Sequence, residues 1–249
     1  MAGPRMLESL EPGTVDVWFL DRTGTADAAW TRVLDEDERV RAEAFRTAEL
    51  RDAFVGAHAL VRFALSAYAD VAPDAWRFEV GPKGQPRLLG SPVDLRFSLS
   101  HSGPRAAVAI GLSTPIGLDL EAVDRTQDPL LLAERFFTPS ETAMLRGRQE
   151  ADRAGTFATL WTVKEAVLKA EGLGLSTRLS TVEVTLEAAG QLAGVAGPGG
   201  PWSVRAWEPE PGFRLALAVG PPGKLSRVRT FSAVPLGDVR PAPELGPGS

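Results

Sequence analysis

The chain has 249 residues, 44% of them hydrophobic and 24% charged, with a formal net charge of −5. This composition is typical of a globular protein with a sizeable core, and the acidity argues against a general nucleic-acid binder. The chain has no cysteine and only two histidines, which excludes disulfides and thiolate zinc sites, so any metal should be a hard cation on oxygen ligands. No signal peptide and no membrane span are predicted, so we expect a cytoplasmic protein.

Strand and helix signals alternate along the first half. β-branched and aromatic residues predict a strand at 14–20, and apolar residues at helical intervals predict a helical region over about 35–68. Residues 77–89 resemble two short strands around a Gly/Pro turn. A further strand stops at a Ser-His-Ser-Gly turn at 100–103, and two apolar strands flank a turn at 113–115.

The second half partly repeats this order, without a visible repeat of residues. Thr138 and Glu141 have the spacing of a capping box, with Pro139 at the first helical position. A long helix ending at Gly172 and several strands follow. The sequence therefore predicts an α+β protein of two lobes, residues 1–113 and 114–235, and residues 236–249 have the composition of a disordered tail.

Two acidic residues share a face of the predicted strand in "GLDLE". Asp119 and Glu121 alternate with Leu118 and Leu120, which places the two carboxylates on one side with Cα atoms roughly 6–7 Å apart. Such carboxylates suit Mg²⁺, which is commonly held by one or two of them together with substrate phosphates. By itself, Asp-x-Glu is a weak motif that more often marks an exposed strand face.

The helix in "LWTVKEAVLKAEGLGLS" carries polar residues opposite its apolar stripe. Trp161, Glu165 and Lys169 follow at i, i+4 and i+8, and Lys164 lies beside them. A surface Glu–Lys pair explains the charges, at a few tenths of a kcal/mol. It does not explain Trp161, because a large aromatic side chain needs a cover. A cleft lined by this face would explain all four.

The histidines leave several possibilities open. His101, at the polar turn, could be a phosphate ligand, a catalytic base or an exposed loop residue. There is no G-x-S-x-G elbow and no Walker A or dinucleotide fingerprint, so a serine hydrolase and these nucleotide-binding classes are not supported. His58 lies among apolar residues of a predicted helix and is interpreted as structural.

The motifs "FSLSHSG", "IGLDLE" and "LWTVKEAVLKAEGLGLS" together resemble the Sfp-type 4′-phosphopantetheinyl transferases. That family has an SHS turn, a G-(I/V)-D-(I/V)-E strand and a W-x-x-KE-x-x-x-K helix in this order. "AFRTAELRDAFVGAHALVR", "GQPRL", "AERFFTPSE" and "VRAWEPEPGFRLALAV" also look like family segments. The resemblance covers all but the first dozen residues and the tail.

The resemblance implies two similar lobes related by a pseudo-twofold axis, each a small mainly antiparallel sheet packed on a long helix, with the active site between them. It implies transfer of phosphopantetheine from coenzyme A to a carrier-protein serine, with release of adenosine 3′,5′-bisphosphate. Asp119, Glu121 and Glu165 would hold Mg²⁺, or Mn²⁺ in its place. Glu165, Asp119 and Lys169 would be catalytic: Glu165 as the candidate base and Lys169 on a phosphate.

Coenzyme A would also be bound by residues spread along the chain. Ser100 and His101 match the SHS turn that binds the 3′-phosphate, and Glu141 matches an acidic position near the metal site. The family's G-K-P lysine falls on Gln85, so one phosphate-binding charge is missing, for which Lys83 or Arg87 could compensate. The predicted coenzyme A-binding residues are Arg51, Arg46, Lys83, Ser100, His101, Lys164 and Lys169, with Arg39 as a further candidate.

The implied partners are acyl or peptidyl carrier proteins of polyketide, nonribosomal-peptide or fatty-acid synthases, and not nucleic acid or membrane. The length is that of two-lobed family members, so we expect a monomer. Two alternatives remain: a non-catalytic homologue that binds coenzyme A or a carrier protein, and a Mg²⁺-dependent phosphohydrolase. Three retained carboxylates argue against the first, and release of adenosine bisphosphate without an acceptor would favour the second.

Overall fold

The structure, a computed structural model, falls into two compact units. It describes residues 10–20, 28–81, 85–172, 178–188, 190–221 and 223–242. The N-terminal unit comprises Met1–Pro82, Pro86–Ser113 and Ser226–Glu244, and the C-terminal unit comprises Lys83–Gln85, Thr114–Leu225 and Leu245–Ser249. Each unit is described by itself below.

Twelve strands and six α-helices make up the described parts of the chain. In chain order they are β1 (Thr14–Leu20), α1 (Ala28–Val33), α2 (Glu36–Glu43), α3 (Ala48–Leu65), β2 (Arg77–Val80), β3 (Pro86–Leu89), β4 (Leu95–Ser102), β5 (Arg105–Leu112), β6 (Ile116–Ala122), α4 (Pro129–Phe136), α5 (Pro139–Gly147), α6 (Glu150–Ala170), β7 (Glu183–Leu186), β8 (Leu192–Ala196), β9 (Ser203–Trp207), β10 (Phe213–Val219), β11 (Arg227–Ala233) and β12 (Val239–Pro241). Within these ranges, no helix is both long and apolar enough to cross a membrane.

The N-terminal unit packs α3 on a five-stranded sheet of order β12-β11-β1-β5-β4. Its core includes Trp18 of β1, which meets Phe63 of α3 edge-on with ring centroids 6.5 Å apart. The predicted helical region divides into α2 and α3, because Thr47 caps a new helix by accepting a hydrogen bond from the Leu50 N–H. Strands β2 and β3 form a separate hairpin, as expected.

Strand β11 differs from the predicted organisation. It pairs in parallel with β1 and belongs to the N-terminal unit, although residues up to 235 were expected in the C-terminal lobe. A buried ion pair fixes this pairing: Arg229 donates to both oxygens of Asp16 at 2.7 Å. Part of the predicted tail is ordered as β12, and residues 243–249 lie outside the described ranges.

The C-terminal unit packs α6 on the antiparallel sheet β6-β10-β9. The helix comes close to β6 because Gly117 has no side chain: a Cβ there would collide with the Ala166 carbonyl oxygen. The predicted capping box is present, since Thr138 accepts from the Glu141 N–H and Glu141 accepts from the Thr138 N–H. One long helix on a sheet in each unit confirms the predicted α+β class.

Candidate functional site

Strand β6 displays the two predicted carboxylates on one face. Asp119 is buried and Glu121 half-buried, while Leu118 and Leu120, which alternate with them, are almost fully buried. In the register with β10, Glu121 lies directly opposite Arg214. The strand and the alternation expected from "GLDLE" are therefore present.

Lys169 of α6 lies over this strand. Its Nζ donates to Asp119 Oδ1 at 2.7 Å and to the Leu118 carbonyl oxygen at 3.0 Å. The close approach of α6 at Gly117 makes this contact possible, because Lys169 is three residues beyond the Ala166 carbonyl that meets the glycine. The structure thus brings the predicted lysine to the predicted carboxylate.

Glu165 of α6 is influenced electrostatically by both strand carboxylates. Burial raises the pKa of Glu165 above its ordinary value, and the charge of Asp119 raises it further. Lys169 acts in the opposite direction, and Glu121 adds a smaller upward effect. Glu165 therefore lies within electrostatic reach of both strand carboxylates, and its raised pKa suits a group that accepts a proton.

Asp119, Glu121 and Glu165 offer carboxylate oxygens as possible ligands for a cation. Among the residues that the structure describes, no group of three or more acidic, histidine or cysteine side chains is gathered closely enough to hold a metal ion. The donors nevertheless fit Mg²⁺, because they are carboxylate oxygens whose mutual repulsion a divalent cation would relieve, and Mg²⁺ needs only one or two of them beside phosphates. The set Asp119, Glu121 and Glu165 remains a prediction.

Lys164 is not placed where coenzyme A could reach it. Its side chain is fully buried and its Nζ lies 2.7 Å from Glu141 Oε1, on a carboxylate that is 1% exposed. It also donates to the carbonyl oxygens of Leu179 and Val182. Burial lowers the pKa of Lys164, and Glu141 opposes that effect. We therefore correct the prediction: Lys164 and Glu141 form an internal pair.

Trp161 is also not accounted for by a cleft. Its ring meets Phe136 edge-on at 5.9 Å between centroids and lies near Phe137 and Phe157 at 6.3 and 5.7 Å. These aromatic residues belong to, or pack against, the core of the C-terminal unit. Trp161 is therefore covered by aromatic side chains: Phe136 and Phe137 at the end of α4, and Phe157 of α6.

The predicted coenzyme A residues of the N-terminal unit have contrasting environments. Ser100 and His101 are consecutive on β4, so their side chains point to opposite faces; Ser100 is buried and His101 exposed. Arg46 and Arg51, before and within the first turn of α3, are exposed. Lys83 lies outside the described residues.

The interpretation of His58 as structural agrees with its contacts. Its Nδ1 lies 2.8 Å from Glu38 Oε1, and its ring stacks on Phe54 at 4.0 Å. Glu38 also accepts from Arg62, whose side chain is fully buried. Although burial raises the pKa of Glu38, its hydrogen bond to His58 and the charge of Arg62 lower that pKa to about 2. Sequence reasoning missed this buried ion cluster.

A further residue missed from sequence is Arg125. It follows β6 and donates to both oxygens of Glu121 at 3.0 and 2.8 Å. The Glu–Arg spacing of four residues is a visible signal, but it crosses the end of a strand, where spacing alone does not indicate a contact.

A cavity of about 190 Å³ in the C-terminal unit contains none of the predicted site residues. It is lined by Thr159, Thr162, Gly190, Gln191, Leu192, Ala206, Trp207, Glu208, Arg214 and Leu215.

Comparison with protein families matches residues 115–218, which carry this cluster, to the 4′-phosphopantetheinyl transferase superfamily. The sequence is 31% identical over 164 residues to the 4′-phosphopantetheinyl transferase Sfp of Bacillus subtilis, covering 66% of this chain and 71% of Sfp. The chain belongs to this family, as its motifs predicted.

The relatives include a second protein named as a 4′-phosphopantetheinyl transferase. The 4′-phosphopantetheinyl transferase HetI of Nostoc is 36% identical over 156 residues, which are 61% of this chain and 65% of HetI, just under two thirds of that relative. Among solved structures, the holo-[acyl-carrier-protein] synthase of Thermotoga maritima matches 43% of this chain and 64% of its own, with 27% identity and a TM-score of 0.36. The family assignment rests on the sequence matches.

Proposed function

We propose that this protein transfers 4′-phosphopantetheine from coenzyme A to a serine of an acyl or peptidyl carrier protein. The observation that carries the proposal is the contact of Lys169 with Asp119, whose charges both act on Glu165, within the segment that the family model matches. Such a combination suits a phosphoryl transfer, because its catalysis consists mainly of positioning and charge stabilisation.

In the proposed reaction, the serine oxygen attacks the phosphorus that carries pantetheine. A bond forms between the serine Oγ and this phosphorus, and the bond to the bridging pyrophosphate oxygen breaks. The electron pair leaves with adenosine 3′,5′-bisphosphate. Glu165 is the proposed acceptor of the serine proton.

Lys169 is proposed to exchange its contact with Asp119 for a contact with a phosphate oxygen. Its side chain is 32% exposed, against 6% for Asp119, so the lysine is the more accessible partner of the pair. Asp119, Glu121 and Glu165 would hold Mg²⁺, or Mn²⁺ in its place. When bound, this ion would offset the negative charge that develops on the leaving group.

The proposed site for the 3′-phosphate of coenzyme A lies in the N-terminal unit. His101 is exposed at the end of β4, and Arg46 and Arg51 are exposed near the start of α3, so all three can meet an anion from solvent. We propose Ser100 as a ligand as well, whereas Lys83, which belongs to the C-terminal unit and lies outside the described residues, stays a separate prediction. Lys164 is no longer included, because its ammonium is sealed inside the C-terminal unit.

We further propose that the protein acts as a cytoplasmic monomer on carrier domains of polyketide, nonribosomal-peptide or fatty-acid synthases. The length, which is that of two-lobed family members, supports the monomer. Light scattering tests the monomer directly. A molar mass near that of three chains would contradict it.

The decisive experiment follows the intact mass of an apo carrier protein incubated with this protein, coenzyme A and Mg²⁺. We expect a gain of one phosphopantetheine, lost without Mg²⁺ and slowed about 10²- to 10⁴-fold by Glu165→Gln, the range for removing a positioned proton acceptor. Glu150→Gln, an exposed change in the first turn of the same helix, is the control and should retain the wild-type rate.

Two other outcomes would replace the proposal. Coenzyme A binding without transfer to any carrier type would indicate a non-catalytic homologue. Release of adenosine bisphosphate in the absence of a carrier would indicate a phosphohydrolase.

A further inference from the structure

Each of the two β6 carboxylates is paired with a cation of the C-terminal unit. Asp119 contacts Lys169, and both oxygens of Glu121 face a single guanidinium nitrogen of Arg125, at 3.0 and 2.8 Å. Lys169 already has a place in the proposed mechanism. Arg125 has none, although it contacts a predicted metal ligand.

We propose that Arg125 is an exchangeable counter-ion of Glu121, which competes with the divalent cation and couples its binding to the binding of phosphorylated substrate. The inference rests on the proposed function, in which Glu121 is a ligand of the cation. It assigns Arg125 a positioning role, because Arg125 acts through the carboxylate that it occupies.

The exposure of Arg125 makes the exchange easy. Its side chain is 64% exposed, whereas that of Glu121 is 19% exposed, so the arginine can turn into solvent while the carboxylate keeps its place on β6. Exposed ion pairs are weak, because water and salt screen them and ordering long side chains costs entropy. Arg125 therefore neutralises Glu121 without blocking a stronger cation.

Arg214 provides the contrast within the same unit. It lies directly opposite Glu121 in the sheet, but its Nη1 donates to Glu208 at 2.7 Å and to the Phe213 carbonyl oxygen at 2.9 Å. Its side chain is 24% exposed and packs near Gly155 of α6. Arg214 is held by its own partners, so Arg125 is the arginine available for exchange.

The exchange has a consequence for substrate binding. A guanidinium prefers phosphate, with which it forms paired charge-assisted hydrogen bonds. The pyrophosphate of coenzyme A would draw Arg125 from Glu121 and leave the carboxylate to the cation. By linkage, coenzyme A then tightens cation binding, and the cation tightens coenzyme A binding by the same factor.

The test measures Mn²⁺ affinity from the electron paramagnetic resonance signal of the free ion, with and without coenzyme A. We expect Arg125→Gln to bind Mn²⁺ about 2- to 5-fold more tightly than wild type without coenzyme A, the size of an exposed ion pair. The tightening caused by coenzyme A should shrink in this variant. Arg146→Gln is the matched control, because Arg146 is 60% exposed and pairs with Glu134 at 2.7 Å; it should behave as wild type.

Glu121→Gln separates the remaining outcomes. If it weakens Mn²⁺ binding while Arg125→Gln matches Arg146→Gln, Arg125 is not a counter-ion of the site and the inference is wrong. If it leaves Mn²⁺ binding unchanged, Glu121 is not a ligand, which also overturns the inference. Transfer by the wild-type protein in the intact-mass assay tests the proposed function independently of both results.

Discussion

Two lysines of helix α6 form ion pairs that have the same N···O distance but differ in solvent exposure. Lys164 contacts Glu141 and Lys169 contacts Asp119, each at 2.7 Å. In the first pair both side chains are sealed, at 0% and 1% exposed; in the second the lysine is 32% exposed. A short ion pair alone therefore does not identify a functional lysine, whereas the exposure of the lysine side chain distinguishes a structural pair from one that can exchange partners.

The largest effect is expected when the buried Lys164–Glu141 ion pair is broken. Lys164→Met leaves the Glu141 carboxylate buried without its cation and should lower the free energy of unfolding by about 3–5 kcal/mol. The double variant Lys164→Met/Glu141→Gln should recover part of this loss, because a neutral amide can still accept the Val184 N–H. Urea denaturation measures both. A single variant within 1 kcal/mol of wild type would contradict the assignment.

The open pair should respond in the opposite way. Lys169→Met should change the free energy of unfolding by no more than about 1 kcal/mol, because the lysine is partly exposed. It should lower the transfer rate about 10²- to 10³-fold if the ammonium stabilises charge on the phosphates. The transfer assay and urea denaturation of one preparation check both. A marked loss of stability at an unchanged transfer rate would show that Lys169, like Lys164, has a structural role.

The Glu38–Arg62 pair extends the comparison to the N-terminal unit. Glu38 has an ordinary pKa of 4.5 when unfolded and about 2 when folded. A depressed carboxyl pKa stabilises the fold above pH 4.5, and this stabilisation, about 3 kcal/mol, is lost as pH falls from 4.5 towards 2. Glu38→Gln should flatten the dependence of unfolding free energy on pH in that window. An unchanged acid slope would show that another carboxylate is responsible.

The smallest effect is expected at Gly117, where α6 packs closely against β6. Gly117→Ala should push the helix away and cost about 1–3 kcal/mol of stability, as overpacking does. Because Lys169 reaches Asp119 through this approach, the transfer rate should fall as well. Gly194→Ala is the control, since a Cβ there meets nothing within 4 Å. Equal stability of the two variants would mean that Gly117 does not set the helix position.

Local features were predictable from the sequence. The alternation of Asp119 and Glu121 with leucines follows from strand geometry, and the Thr138–Glu141 box follows from helix capping. Both predictions depend only on residues within one turn or one strand, so no tertiary information was needed. The nearness of Lys169 to Asp119 was instead implied by the resemblance to the family, because i, i+4 spacing alone does not place a helix on a strand.

Long-range burial could not be predicted in the same way. Lys164 lies four residues after Leu160 and three before Val167, so helical spacing already puts it beside the apolar stripe, but this spacing does not reveal the buried ion pair that it forms. Its partner Glu141 lies on another helix, and its backbone acceptors lie before β7. Arg229 and Asp16 meet across 213 residues, so the parallel pairing of β11 with β1 leaves no local signal.

The most direct test of the contrast between the two pairs is the rate of phosphopantetheine transfer to an apo carrier by wild type, Lys169→Met and Glu150→Gln, followed by intact mass at equal concentrations of folded protein. We expect wild type and Glu150→Gln to add one phosphopantetheine at the same rate, and Lys169→Met to be about 10²-fold slower or worse. A Lys169→Met protein that transfers at the wild-type rate would contradict a catalytic role for the open pair.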